Sequence, residues 1–136
     1  MYTTIRKEVN YLKALSLKPQ WAHLVLIDEK DVEYRTWQTK YRGDLLICSS
    51  QAPKKKGTIA GHALCVVNLY DITYDEREDI YEWHIKDVRP IKPFPVKGKL
   101  NIYEIDDSLI EYLPLEDLPE DEAQEIYEKY YQPLLT

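Results

Sequence analysis

Between residues 18 and 42 the chain concentrates side chains suited to an anionic, aromatic ligand. Five cations (Lys18, Lys30, Arg35, Lys40 and Arg42) are interleaved with two tryptophans, Trp21 and Trp37. Indole and guanidinium planes stack on nucleobases, and lysine or arginine heads neutralise phosphate. Glu33 has two uses beside them: it can accept from the exocyclic amine of a base, or pair with Arg35. Together, Lys30 and Glu33 could also act as acid and base on a water molecule. Each residue has a plainer use as well. Trp21 suits the buried face of a helix, Trp37 a core wall, and Glu33 with Arg35 a surface salt bridge.

The remaining candidates are fewer. Ser49 and Ser50 end a predicted strand near the expected cleft, where their hydroxyls could donate to a ligand. Lys54, Lys55 and Lys56 form a basic loop that could touch a phosphate backbone, although a run of lysines also serves simply as a solvated loop. His23, His62 and His84 are too far apart for zinc-ligand spacing, so neither a metal nor a cofactor is expected. Cys48 and Cys65 lie in apolar segments and read as reduced, buried thiols.

These residues need elements to position them. Leu12 to Leu17 reads as a strand, and Lys18-Pro19-Gln20-Trp21 opens a helix with proline near its first position. Spacing places Trp21, Leu24, Val25 and Asp28 on one core-directed face, with the helix ending near Glu29-Lys30. From Asp31 to Trp37, alternation puts Asp31, Glu33, Arg35 and Trp37 on one face of a strand, and Val32, Tyr34 and Thr36 on the other. Tyr41 to Asp44 is a turn and Leu45 to Ser49 a strand. After the loop Gln51 to Gly57, Thr58 to Ile72 is a bent strand with a bulge near Gly61.

Tyr74 to Asp79 is a polar connection with room for one helical turn. Ile80 to Ile85 is again a strand. Pro90, Pro93 and Pro95 predict an irregular crossing, Lys97-Gly98-Lys99 a turn, and Leu100 to Ile105 a last strand. A variant capping box, Asp117 to Glu120, opens a final helix whose stripe Ala123, Ile126, Tyr127 and Tyr130 should dock on the sheet edge, with Pro133 ending it.

The bulk properties set limits. The 136 residues, 44% of them hydrophobic, suffice for one core without disulfide or metal staples. No apolar run reaches membrane-spanning length. The N-terminal stretch from Met1 to Leu15 lacks a secretory signal, so a cytoplasmic location is expected. A net charge of −6 argues against coating nucleic acid non-specifically. The charge is nonetheless polarised: residues 1–60 carry 11 Lys and Arg against 6 Asp and Glu, and residues 61–136 carry 7 against 18. A basic face for an anionic ligand accounts for the split, as does a solvated surface with an acidic tail.

A family likeness adds to this reading. Leu15-Ser16-Leu17-Lys18-Pro19-Gln20-Trp21-Ala22 resembles the opening of ASCH (activating signal cointegrator homology) domains. Lys30, Glu33 and Arg35 match the Lys, Glu and Arg of that family's glycine-led core motif, with Asp28 standing where the family usually has glycine. Tyr41-Arg42-Gly43, Trp83 ahead of Arg89-Pro90, and Gly98 before the last strand are also similar, so the resemblance spans roughly residues 12–106. It implies a PUA-like β-barrel with a cleft lined by the Lys-x-x-Glu-x-Arg strand, and an RNA-binding role. One branch of the family hydrolyses N4-acylated cytidines with a threonine nucleophile, and other relatives are ribonucleases. Here Glu33 occupies the threonine position, so that nucleophile is missing.

The expectation is therefore an α+β fold: a small PUA-like β-barrel of five to seven strands with an early helix and a C-terminal helix at its rim. One domain would cover residues 1–136, with a core at about 12–106 and an acidic segment and helix at 107–136. Lys18, Trp21, Lys30, Glu33, Arg35, Trp37, Arg42 and Ser49 are the expected ligand contacts, and RNA or a nucleotide-like molecule is the expected partner. The alternative is a hydrolase acting on RNA or a modified nucleoside, with Lys30 and Glu33 as its catalytic pair. A third reading is a protein-interaction domain that uses the tyrosine-rich C-terminal helix. The oligomeric state is not legible in the sequence.

Overall fold

The computed structural model describes residues 8–136; the first seven, part of the stretch read for a secretory signal, lie outside the described residues. In chain order the elements are β1 (Tyr11–Leu17), α1 (Pro19–Leu26), β2 (Val32–Arg35), β3 (Gly43–Ser49), β4 (His62–Asp75), β5 (Ile80–Pro95), β6 (Tyr103–Asp106) and α2 (Glu120–Tyr130). Six strands form one sheet in the order β2-β5-β4-β3-β1-β6, curled into a half-barrel with two helices. Among the described residues only β1 and β3 pair in parallel; the other neighbours are antiparallel. No helix among the described residues is long and apolar enough to cross a membrane.

The centre of the sheet is buried on both faces, which explains the unbroken apolar run in β3. Leu45 and Ile47 join one cluster with Leu15, Val25, Trp83 and Tyr131. Leu46 and Cys48 join a second with Ala14, Ile91, Val96 and Tyr103. Each fully buried Leu or Ile contributes about 1.5–3 kcal/mol of burial energy. α2 contributes through one flank, since Ile126, Tyr127 and Tyr130 pack on the first cluster while none of its residues is fully buried. Just past the helix, Tyr131 inserts fully, and its hydroxyl donates to the Leu64 carbonyl at 3.0 Å and the Ile91 carbonyl at 2.6 Å. The tyrosines at the end of this helix thus fasten the chain's own sheet.

Several elements differ from their sequence reading. The prolines do not interrupt β5, which runs to Pro95 opposite β4. β2 covers only Tyr81 to His84 of β5, and beyond that point the linker at Glu111 and Leu113 bonds to the Lys92 N–H and the Pro90 carbonyl, so no bond there needs a proline N–H. Register shifts at Ala63/Cys65, Val66/Asn68 and Leu69/Asp71 absorb the remaining mismatch. Gly61, the expected bulge, lies just before β4 with φ +69, and its carbonyl accepts from Val96 N–H. Residues 76–79 make a hairpin turn, and β6 begins only at Tyr103.

The variant capping box does not form: Pro119 is the N-cap without a side-chain bond, and Asp117 sits at φ 64. α1 stops at Leu26, short of the expected end near Glu29-Lys30, and Asp28 turns left-handed at φ 60. That φ gives a physical reason for the glycine expected there, and Asp is among the few side chains that tolerate it.

Candidate functional site

A cleft of about 580 Å³ opens where β1 ends and α1 begins. Its position follows from the topology. β6 pairs only with Tyr11 to Ala14 of β1, so the last part of β1 extends past it, while β2 is the opposite edge of the curled sheet. Between these edges no backbone ladder among the described residues closes the barrel. Arg35 bridges the gap, one amine (Nη2) donating to the Ser16 carbonyl at 2.8 Å and to Glu33 Oε2 at 3.3 Å. The other N–H donors of its guanidinium have no partner among the described residues.

Glu33 is the hub beneath this bridge. It is only 7% exposed, and its Oε1 accepts from Tyr34 N–H at 3.1 Å and lies 3.7 Å from Lys30 Nζ. A carboxylate this deep requires paired cations, which Lys30 and Arg35 supply from two sides. Lys30 also rests over the Trp21 and Tyr34 rings, at 5.5 and 5.0 Å from their centroids. Trp37 follows the end of β2 and lines the cleft wall. Its ring meets Trp83 edge-on at 4.8 Å, and its carbonyl accepts from the Trp83 indole N–H at 3.1 Å. The opposite rim is the segment Lys97 to Asn101, pressed against β1 at Gly98. A Cβ at Gly98 would stand 2.9 Å from Ser16 Oγ, which is itself bonded to the Tyr103 hydroxyl at 2.7 Å.

The cleft therefore presents Lys18, Arg35, Lys97 and Lys99 around a single carboxylate, Glu33, together with two tryptophans. That balance suits an anion with a flat apolar part. A model of the ASCH domain matches residues 15–132 of the chain. The chain belongs to the ASCH domain family. Its fold is similar to the crystal structure of ASCH from Zymomonas mobilis, with a TM-score of 0.53 and 12% identity over 85% of this chain and 93% of that one. A tyrosine-to-phenylalanine mutant of the same Zymomonas mobilis protein matches equally well, with TM-score 0.53 and 12% identity over 85% of this chain and 96% of that one. No curated protein matches the chain.

Within this ASCH domain, five of the eight expected contacts line the cleft: Lys18, Trp21, Glu33, Arg35 and Trp37. Trp21 is 42% exposed, contrary to its expected core-facing position. The buried face of α1 is Pro19, Ala22, Val25 and Leu26, a phase that turns Trp21 outward. Lys30 lines a shallower hollow on the far side of Trp21. Arg42 folds back to donate to the carbonyls of Thr39 and Tyr41, both at 2.8 Å. Ser49 is buried, exchanging hydrogen bonds with the His62 backbone across a bulge, whereas its neighbour Ser50 reaches the cleft. The Lys97-Gly98-Lys99 rim was read only as a turn; two lysines around the family-like glycine were the available signal.

Burial pushes the Cys48 thiol up to about 12, and Cys65 higher still. His23, His62 and His84 have separate surroundings, with His62 Nδ1 on the Ala60 carbonyl and His84 Nε2 on Thr73. No group of three metal-ligating side chains occurs among the described residues.

Proposed function

We propose that this ASCH domain binds a short single-stranded RNA segment or a nucleotide in the cleft between β1, α1, β2 and the 97–101 rim. The family is generally thought to bind RNA. The observation that carries the reading here is Arg35, held rigidly across the barrel gap by Ser16 and Glu33 with donors left over at the cleft. A guanidinium fixed in this way is suited to phosphate or to a base edge, because little side-chain freedom is lost on binding. Lys18 and Lys97 add phosphate neutralisation, and Trp21 or Trp37 offers a stacking face worth about 1–3 kcal/mol per base. In this arrangement Glu33 orients Arg35 and does not read the ligand. The net charge of −6 restricts attraction to the cleft, which favours a short ligand over a long duplex.

The 3.7 Å approach of Lys30 to Glu33 supports a second reading, a hydrolase using that pair on RNA or an acylated nucleoside. One experiment separates the two. The protein is incubated with short single-stranded RNAs and with N4-acetylcytidine, and binding and product are followed by chromatography. Binding without product, weakened in Arg35→Lys and Lys97→Ala with at most a small change in melting temperature, supports recognition. Product that disappears in Glu33→Gln supports hydrolysis. Neither binding nor product removes both readings.

A further inference from the structure

The far end of α1 borders a second hollow of about 560 Å³, between Leu26–Asp28, the Val88–Pro90 stretch of β5 and the linker Tyr112–Glu116. Its walls are mainly apolar, with Leu26, Val88, Pro90, Leu113 and Leu115 among them. Two large side chains on it are left to solvent, Ile27 at 40% and Tyr112 at 49% exposure. Exposed apolar surface rimmed by polar groups is characteristic of interaction sites.

The charges of this groove left without an ion pair among the described residues have one sign. Arg89, the one cation among its lining residues, is engaged internally: it grips Asp44 at 2.7 and 3.2 Å and lies over the Tyr112 ring at 6.0 Å. Asp28 and Glu116 also line the groove and make no ion pair among the described residues. The linker is tied to β5 by Lys92 N–H to the Glu111 carbonyl at 2.8 Å and Leu113 N–H to the Pro90 carbonyl at 3.0 Å. Tyr112 lies between these bonds, and its own N–H and C=O have no backbone partner among the described residues.

We propose that this groove docks a peptide segment of a partner protein that carries an apolar anchor side chain flanked by lysine or arginine. The apolar walls accept the anchor, and the unpaired carboxylates of Asp28 and Glu116 receive the flanking cations. The open main-chain groups of Tyr112 offer an extended peptide further hydrogen bonds. RNA is disfavoured here, since both free charges repel phosphate. A second copy of this chain brings a net charge of −6 toward an acidic rim, which opposes self-docking.

The test is selection of a displayed library of random dodecapeptides on the intact chain, counter-selected on an Ile27→Lys/Glu116→Lys variant. Both substitutions fall at exposed positions. Selected peptides are expected to carry Leu, Ile, Phe or Trp beside Lys or Arg, and to bind the variant about tenfold more weakly. They should bind Arg35→Lys as tightly as the parent, which separates this groove from the RNA cleft. The proposal is overturned by acidic or anchor-free peptides, equal binding to the variant, no enrichment, or displacement of the peptides by single-stranded RNA. Self-association abolished by the same variant would assign the groove to a second copy and overturn it as well.

Discussion

The hollows at the two ends of α1 are nearly equal in volume, about 580 and 560 Å³, yet opposite in chemistry. At the N-terminal end Lys18, Lys97 and Lys99 make no ion pair among the described residues, and the lone carboxylate, Glu33, is neutralised by Lys30 and Arg35. At the C-terminal end the pattern inverts, with Arg89 neutralised by Asp44 while Asp28 and Glu116 stay unpaired. The curl of the sheet and one short helix create both concavities. Internal pairing then decides which charge each one shows to a ligand. This contrast does not follow the split of charge along the chain, since Lys97 and Lys99 come from the acidic half and Asp28 from the basic half.

The most damaging way to break this contrast is to remove the hub of the basic end. Glu33→Ala leaves Lys30 and Arg35 half-buried without an anion, and unfolding by denaturant should show a loss of about 3 kcal/mol. RNA affinity should fall in parallel, because Arg35 loses its orientation. Arg35→Lys keeps the charge but not the fork. An affinity about tenfold lower, with only a small change in melting temperature, is expected by fluorescence titration.

Smaller changes sharpen the comparison. Lys18→Ala and Lys97→Ala, both exposed, should each lower RNA affinity a few-fold, reduce the salt slope by about 0.7 and leave the melting temperature unchanged. Glu116→Lys at the other end should leave RNA affinity unchanged. The smallest expected effect concerns the thiols. With Cys48 raised to about 12 by burial and Cys65 higher, alkylating reagents at neutral pH should label neither until the protein unfolds. The sign for stability follows. The neutral thiols favour the fold below the ordinary thiol range near 9, and that contribution is lost as pH climbs from there toward 12.

Much of the basic site was legible because one local stretch carries it. Lys18, Trp21, Glu33, Arg35 and Trp37 fall within 20 residues of sequence, and strand alternation correctly put Glu33 and Arg35 on one face. Lys97, Lys99 and Asn101 were not legible, because they reach the cleft only through the placement of β6 beside β1. Arg42 and Ser49 were read as contacts from proximity in sequence, but each is engaged by nearby backbone, the carbonyls of Thr39 and Tyr41 in one case and His62 in the other. Trp21 shows that packing selects the buried stripe: α1 starts where expected, but Pro19, Ala22, Val25 and Leu26 face the core, which leaves the tryptophan to the cleft. The prolines of β5 and the buried Tyr131 depend on which N–H groups the neighbours require and which carbonyls need donors, and those are properties of the assembled sheet.

The most direct test of the central claim is an amide chemical-shift titration with a short oligouridylate. Saturable shifts confined to Ser16–Trp21, Glu33–Trp37 and Lys97–Asn101, and abolished by Arg35→Lys with Lys97→Ala, are the expected result. Shifts centred on Tyr112–Glu116, or no shifts at ligand excess, would contradict the assignment of the basic cleft as the RNA site.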